Sequence, residues 1–440
     1  MFSDPGVDAV TSLIRGQASR SVDRGVICSR LISSSYDESR LIPCSTVKLA
    51  SHSAITNCYS AVMSIPDSTE YIDIARGLAD KIAGRVQEID DGRRIPADLA
   101  AEIADAGLFR LLVPKSLGGG EIPHPNLLEI VRIFARVDAS TAWCINQNNI
   151  TATDSVRMPV ETAREIWGEQ RAAITNGPPS RDTIAVPVEG GYRVTGHWDF
   201  SSGSSHATWL VARCPVEGRP GEIRTSLVPK ADVPMVDTWD VSGLRGTASL
   251  SFDLDDYFVP EDHTYLDSMA TYEDGPLYVT PKVPMYSIGF ASLAVELARA
   301  CLDDGIGVAT KKSQHGVSSP MIDRPTVHRQ IGENEVTLRA ADTYLRTTAA
   351  KMWDAAVNCG EVELAIRAEI RMASTYAIRQ SVKVVDAAYE ICGAGAIFRR
   401  NPVQRRYQDI HVIVQQFQGR PTNFETAGRY YLGLDTTGSL

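Results

Sequence analysis

Between Gly191 and Trp209 the chain reads Gly-Tyr-Arg-Val-Thr-Gly-His-Trp-Asp-Phe-Ser-Ser-Gly-Ser-Ser-His-Ala-Thr-Trp. Val194, Trp198 and Phe200 alternate with polar residues in the two-residue period of half-buried strand, and the run then breaks into a Ser/Gly cluster. An indole followed directly by hydroxyls and backbone N–H groups suits a planar, electron-rich ring. Trp198 would cover one face while Ser201 and Ser202 bond the polar edge. The same residues also read as a plain sheet strand entering an exposed serine loop, so other segments must decide.

Two further clusters have chemical potential. Gly393 and Gly395 would let backbone approach a phosphate or ribose closely. Arg245 either touches a bound cofactor or pairs with Asp240 or Asp255, pinning strands to helices. The eight cysteines and eight histidines are dispersed, without a CxxC pair or metal-ligand spacing, so no metal site is expected. Scattered thiols fit a reducing, cytoplasmic setting. A formal net charge of −10 disfavours general nucleic-acid or anionic-membrane binding. No run of about eighteen apolar residues suggests a membrane span, and the amino terminus lacks a secretory-signal pattern.

The elements that must position these residues change period twice. Residues 1–64 mix Ser, Arg and Cys without a sustained period and are expected to be disordered or a non-native extension, with Met63 as an alternative start. Residues 65–171 read as a helical domain: Ile72 to Val86, a helix opening at Ile95-Pro96, Leu127 to Ala135, and Ala139 to Gln147. A Gly118-Gly119-Gly120 turn interrupts it. Residues 172–270 switch to period two, with strands expected at 183–188, 192–200, 208–214, 225–229 and 249–254. Residues 280–435 return to long helical stretches. The expected fold class is α+β, with an antiparallel β domain between an N-terminal helical domain and a C-terminal four-helix bundle.

This order, with four short motifs, resembles the acyl-CoA dehydrogenase superfamily from about residue 67 to 435. The motifs are the Trp198 turn, Trp239-Asp240-Val241-Ser242-Gly243-Leu244-Arg245-Gly246-Thr247, the strand close Phe258-Val259-Pro260, and Gly393-Ala394-Gly395 with Arg406-Tyr407-Gln408-Asp409. The resemblance implies a flavin, FAD or FMN, held by Asn176, Gly177, Trp198, Phe200, Ser201, Ser202, Arg245, Gly393 and Gly395. It also implies a homodimer or homotetramer, because the family's glycine turn reaches the adenosine end across a subunit interface.

Two departures separate this chain from the superfamily's dehydrogenases. Their catalytic Glu-Gly pair is matched by Gln418-Gly419, and an amide cannot take a proton at neutral pH. Their Thr-Glu-Pro-type loop is replaced by Thr175-Asn176-Gly177-Pro178-Pro179-Ser180. Ala139-Ser140-Thr141-Ala142-Trp143 and Phe200-Ser201-Ser202-Gly203 are similar to the superfamily's flavin-dependent monooxygenases instead. The implied function is hydroxylation or N-oxidation of a small or polycyclic organic substrate with O2 and reduced flavin from a partner reductase, since no nicotinamide-binding Gly-x-Gly-x-x-Gly unit is present. The alternative is a dehydrogenase-like enzyme acting on an acyl thioester.

Within the oxygenase reading, Ser201 and Ser202 offer hydroxyls to flavin N5, and Trp143, His124 and Gln418 are expected in the substrate pocket. Gln416 stands where many of these oxygenases place a histidine base. It can orient a substrate but not deprotonate it, so either the substrate needs no base (an amine, or an already nucleophilic carbon) or His411 or His124 serves as the base. A loop histidine such as His124 is more often merely exposed. Glu425 could be a displaced carboxylate base, or an ordinary surface glutamate.

Overall fold

The computed structural model describes residues 68–180, 182–311 and 320–436. The extension expected over residues 1–64 lies outside them. Helix α1 (Thr69–Ala83) buries Ala75, Leu78, Ala79 and Ile82 on one stripe, the amphipathic pattern that drives a helix onto a core. The chain breaks at Gly84 rather than continuing to Val86, and α2 (Val86–Gly92) and α3 (Ala97–Asp105) follow. Helix α4 (His124–Ala135) starts after Pro123 with Pro125 in its first turn, where a missing N–H costs nothing. Asp138 caps α5 (Ala139–Ala152) by accepting the Thr141 N–H at 2.7 Å. A short α6 (Val160–Trp167) leads into the strands.

Helix α5 is buried along its whole length although it carries Asn146, Gln147, Asn148 and Asn149. Buried amides need partners. Asn149 supplies this by bonding the Leu108 carbonyl at 2.8 Å and the Leu112 N–H at 3.2 Å, stitching α5 to the preceding loop. The helix therefore delivers side chains such as Trp143 and Gln147 to the molecule's interior.

Among the described residues the strands form two four-stranded sheets: β1 (Ile174–Asn176), β4 (Trp209–Pro215), β5 (Ile223–Pro229) and β8 (Thr264–Tyr265) in the order β1-β4-β5-β8; and β2 (Ile184–Val188), β3 (Gly191–Ser201), β7 (Leu250–Pro260) and β6 (Met235–Val236) in the order β2-β3-β7-β6. All pairings are antiparallel except β1–β4, which is parallel. The expected wholly antiparallel block is corrected at that edge. Short β1 enters from α6 and lies along β4, placing Asn176 beside α5.

The β3–β7 pairing slips twice, once between Val194 and Gly196 and once between Trp198 and Ser201. The second slip inserts one extra residue on β3, and Phe200 takes φ +57° there. Such a bulge re-aims side chains. Trp198 and Ser201 both turn inward, whereas Phe200 is 58% exposed.

After a single turn, α7 (Pro276–Val279), the chain forms four long helices: α8 (Lys282–Lys311), α9 (Pro325–Cys359), α10 (Leu364–Cys392) and α11 (Pro402–Ile413). A shorter α12 (Thr422–Tyr431) packs on α10. Helix α8 is long and apolar enough to cross a membrane, but 83% of that apolar window is buried within the protein. It packs against α4, α5, α10 and α11 and is the bundle's central core helix. Gly393 ends α10 at φ +57° and ψ −147°, a backbone conformation that glycine adopts without side-chain strain.

Candidate active site

A cavity of about 640 Å³ opens where α5, β1, the β3 bulge, the 239–249 segment, α8 and the turn after α11 meet. That volume is typical of a cofactor or substrate site. Trp143 and Gln147 reach it from successive turns of α5. Tyr286 and Phe290 reach it from successive turns of α8, because residues four apart share a helix face. Trp143 stacks on Phe290 at 3.9 Å between ring centroids, and Tyr286 stacks on Phe290 at 5.9 Å. Phe200 meets Trp239 edge-on at 6.1 Å. Flat aromatic surfaces thus flank the space on several sides.

One wall is polar. Trp143 Nε1 donates to Ser202 Oγ at 3.0 Å, Ser202 Oγ lies 2.8 Å from Ser249 Oγ, and Ser249 Oγ lies 2.7 Å from Thr247 Oγ1. Thr247 Oγ1 donates to the Leu244 carbonyl at 2.9 Å. On another wall Asn176 Nδ2 donates to the Tyr286 hydroxyl at 3.1 Å and to Thr151 Oγ1 at 3.2 Å, while its Oδ1 accepts from Gln147. Burial pushes the Tyr286 phenol up to about 12, so it stays neutral at any physiological pH.

Among the described lining residues there is no Asp, Glu, His, Cys or Lys; Arg420 at the mouth is the one formal charge. Gln418 is committed: its Oε1 accepts from Ser287 Oγ at 2.5 Å and from Arg371 Nη1 at 3.1 Å. Gln416 uses its Oε1 to cap its own turn at the Gln418 N–H, so its amide nitrogen is the group it can offer the cavity. Both side chains orient; neither abstracts a proton.

The loop after β1 is stapled to β3. Ser180 N donates to the His197 carbonyl at 2.8 Å and Asp199 N to the Pro178 carbonyl at 3.2 Å. Gly177 sits so close that a Cβ would collide with the Asp199 carbonyl oxygen and crowd Ser201 Oγ. Gly177→Ala should push this loop, with cavity residues Asn176 and Pro178, off β3. The expected result is about 1–3 kcal/mol of lost stability and at least about tenfold weaker ligand binding, read by thermal unfolding and titration.

Several expected site residues lie elsewhere. Trp198 does not cover the cavity: its indole is fully buried between the sheets, stacked on Phe252 at 5.1 Å with Nε1 bonded to the Arg213 carbonyl. Ser201 Oγ is buried behind Gly177 without a hydrogen-bond partner, and of the two serines only Ser202 lines the space. Arg245 instead binds the Asp90 carbonyl at 3.0 Å and its carboxylate at 3.6 Å, and the Val241 carbonyl at 3.0 Å. It pins the 239–249 segment to α2, and the partner is Asp90 rather than Asp240 or Asp255.

Neither candidate histidine reaches the cavity lining. His124 is neither a loop residue nor exposed: it begins α4, fully buried, and burial pulls its pKa down to about 4. His411 faces Asp386 on α10, with Nε2 to Oδ1 at 3.0 Å, and packs on Tyr407. Glu425 lies exposed on α12. Gly395 lines a different, surface cavity of about 750 Å³ with Asp303, Asp304, Phe398 and Arg400. Gln147, Trp239, Thr247, Ser249, Tyr286, Phe290 and Phe417 line the central cavity without having been singled out as site residues. The Tyr286/Phe290 spacing of four was the available signal for that pair.

Residues 67–167 match the family model for the acyl-CoA dehydrogenase N-terminal domain, and residues 288–419 match that for its C-terminal domain. The chain belongs to the acyl-CoA dehydrogenase superfamily. Among its curated relatives is an indole-3-acetate monooxygenase of Pseudomonas putida, 26% identical over 85% of this chain and 95% of that protein. Another is the flavin-dependent monooxygenase oxygenase subunit HsaA of Mycobacterium tuberculosis, 27% identical over 78% and 90%. The crystal structure of a 3-HSA hydroxylase from Rhodococcus sp. RHA1 superposes with a TM-score of 0.79 at 26% identity, covering 84% of this chain and 98% of that one.

The central cavity fits a flavin ring of the kind this superfamily uses. Trp143, Phe290, Trp239 and Phe200 supply flat apolar surfaces, and Ser202, Ser249 and Thr247 supply a polar edge. The close approach at Gly177 keeps the loop out of the space.

Proposed function

We infer that this protein is a flavin-dependent monooxygenase that uses reduced flavin and O2 to hydroxylate or N-oxidise a small or polycyclic organic molecule. The carrying observation is the cavity's chemistry: aromatic walls, amides and hydroxyls, and no carboxylate or imidazole among the described lining residues. Desaturation of an acyl thioester starts with removal of a carbon-bound proton, which needs a base. Monooxygenation of an electron-rich ring or an amine has no such requirement.

Reduced flavin, when bound, supplies the electrons that activate O2. The chain's residues would do the rest. Trp143, Trp239 and Phe290 exclude water from the ring, Asn176 holds Tyr286 in place, and the Gln416 amide nitrogen and Arg420 orient a substrate at the mouth. The relatives' designation as an oxygenase subunit supports a separate flavin reductase as partner. Exposed Ile397 and Phe398 beside Gly395 suit burial against a second copy, in keeping with a homodimer or homotetramer working in the cytoplasm.

The test is turnover of a panel of phenols, indoles and polycyclic aromatics under ¹⁸O2 with a generic flavin reductase and NADH. One labelled oxygen in the product is expected. Reduction of bound oxidised flavin by an acyl-CoA without any reductase would sink the reading.

Gln418→Glu should not restore dehydrogenation. The new carboxylate would inherit the contacts of the amide oxygen, an ion pair to buried Arg371 and a hydrogen bond from Ser287, both of which hold it ionised and aimed away from substrate. Acyl-CoA oxidation measured with an artificial electron acceptor should stay at background.

A further inference from the structure

The mouth of the central cavity presents hydrogen-bond donors and positive charge. It is formed by Val412 of α11 and by Gln415, Gln416, Phe417 and Arg420 on the turn that follows. The acceptors of that turn are taken up from the protein side. The Gln416 carbonyl accepts the Gly419 N–H at 3.0 Å, the Phe417 carbonyl accepts Asn423 Nδ2 at 2.9 Å, and the Gln418 carbonyl accepts Thr375 Oγ1 at 2.8 Å. Gln416 Oε1 is held by the Gln418 N–H, which fixes the side chain and leaves its amide nitrogen for a ligand.

Three arginines load the same turn. Arg371, from α10, bonds Gln418 Oε1 at 3.1 Å and lies 5.0 Å from the centroid of the Phe417 ring. Arg379, farther along α10, bonds the Gly419 carbonyl at 3.3 Å. Arg420 is exposed, and neither it nor Arg379 has an acidic partner among the described residues. No Asp or Glu among those residues lines the cavity. On a chain of formal net charge −10, this is a local reversal of sign. A guanidinium without a counter-ion, beside a fixed amide nitrogen at the open end of an aromatic-walled space, suits an oxyanion. The guanidinium fork matches the two oxygens of a carboxylate.

We propose that the substrate is an aromatic molecule bearing a carboxylate, which it places at the mouth between Arg420 and the Gln416 amide nitrogen, and that Arg420 is the specificity-determining residue. This rests on the monooxygenase reading above and names the substrate class for that site. Glutamine at 416 suits such a ligand, because an anion needs a donor and not a base.

The test is fluorescence titration of the full chain, loaded anaerobically with saturating reduced FMN, with 6-hydroxy-2-naphthoate and with its neutral amide, 6-hydroxy-2-naphthamide. Wild type should bind the carboxylate about tenfold more tightly than the amide. Arg420→Gln should weaken the carboxylate by about the same factor and the amide far less, erasing the preference. Arg420→Lys keeps the charge without the fork and should retain part of it. Equal wild-type affinity for the two compounds, or a preference that survives Arg420→Gln, would overturn the proposal. Loss of reduced-FMN binding in Arg420→Gln would assign that guanidinium to the flavin phosphate and overturn it as well. Oxygenation of uncharged aromatics by a wild type that does not bind the naphthoate would overturn the proposal and leave the functional reading standing. Failure of wild type to bind reduced FMN would overturn both.

Discussion

Trp143→Ala is expected to lower folding stability by about 3–5 kcal/mol, the range for emptying a core site of an aromatic ring, and to remove most oxygenation. The indole is nearly buried in the main core, stacked on Phe290 and hydrogen-bonded to Ser202. Its loss opens a void at the cavity floor and frees Phe290. It also removes the N–H that Ser202 Oγ accepts. Trp143→Phe separates these effects: the stack survives and only the N–H···Oγ bond goes, worth about 1 kcal/mol. Denaturant midpoints measure stability, and the ratio of hydrogen peroxide released to product formed measures water exclusion. Alanine should raise that ratio strongly and phenylalanine modestly. Equal ratios in wild type and both variants would show that the indole does not border the reacting centre.

The second large effect concerns Asp409 and is visible only against pH. Its carboxylate accepts the Leu244 N–H at 2.6 Å, and Gly243 packs so tightly on α11 that a Cβ would meet the Gln408 carbonyl. This contact locks the cavity-lining 239–249 segment to the helical bundle. Burial pushes the Asp409 pKa up to about 7. Arg405 and the Leu244 N–H oppose the rise, and Asp138 and Asp90 add to it. In the unfolded chain the value is ~3.9. Between these values the folded state holds more protons than the unfolded one, so stability falls as pH rises from about 4 to about 7. The loss approaches about 4 kcal/mol at 1.36 kcal/mol per pH unit.

Asp409→Asn keeps an acceptor for Leu244 and removes the charge. It should match wild type near pH 4, flatten the decline, and be the more stable protein above pH 7. Asp409→Ala leaves the Leu244 N–H unpaired and should cost about 1–3 kcal/mol relative to Asn at every pH. Urea unfolding from pH 4 to 8.5 measures all three. Parallel wild-type and Asn curves would show that this carboxyl is not buried as described.

Much of the fold was legible because its period is clear. The alternation at 183–200 and the long three- and four-residue repeats after 288 each produced an element close to its place. Asp138 and Pro402 mark helix starts that propensity alone explains. The superfamily motifs also fell in the expected order. Ser202, Trp143, Asn176, Gln416 and Gln418 reach or border one cavity.

The site was less legible where one extra residue or one helical phase decides direction. Strict alternation puts Trp198 and Phe200 on one face, but the bulge between Trp198 and Ser201 turns them apart. Histidines look available in a linear reading. His124 and His411 are on helices whose phase points the first into the core and the second at Asp386. Tyr286, Phe290 and Phe417 share a cavity with Trp143 only because α8 packs against α5 and the turn after α11 packs against α10 and α8, a tertiary fact no local pattern contains. Arg245 found Asp90, about 150 residues away, by the same route.

The decisive measurement is an anaerobic crystal structure of this protein with reduced FMN or FADH2. The account places the isoalloxazine between Trp143 and the Trp239/Phe200 pair, N5 within hydrogen-bond reach of Ser202 Oγ, and Gln416 facing open space above the ring. An isoalloxazine seated elsewhere, or one in the cavity with Glu425 swung in over an acyl thioester, would contradict it.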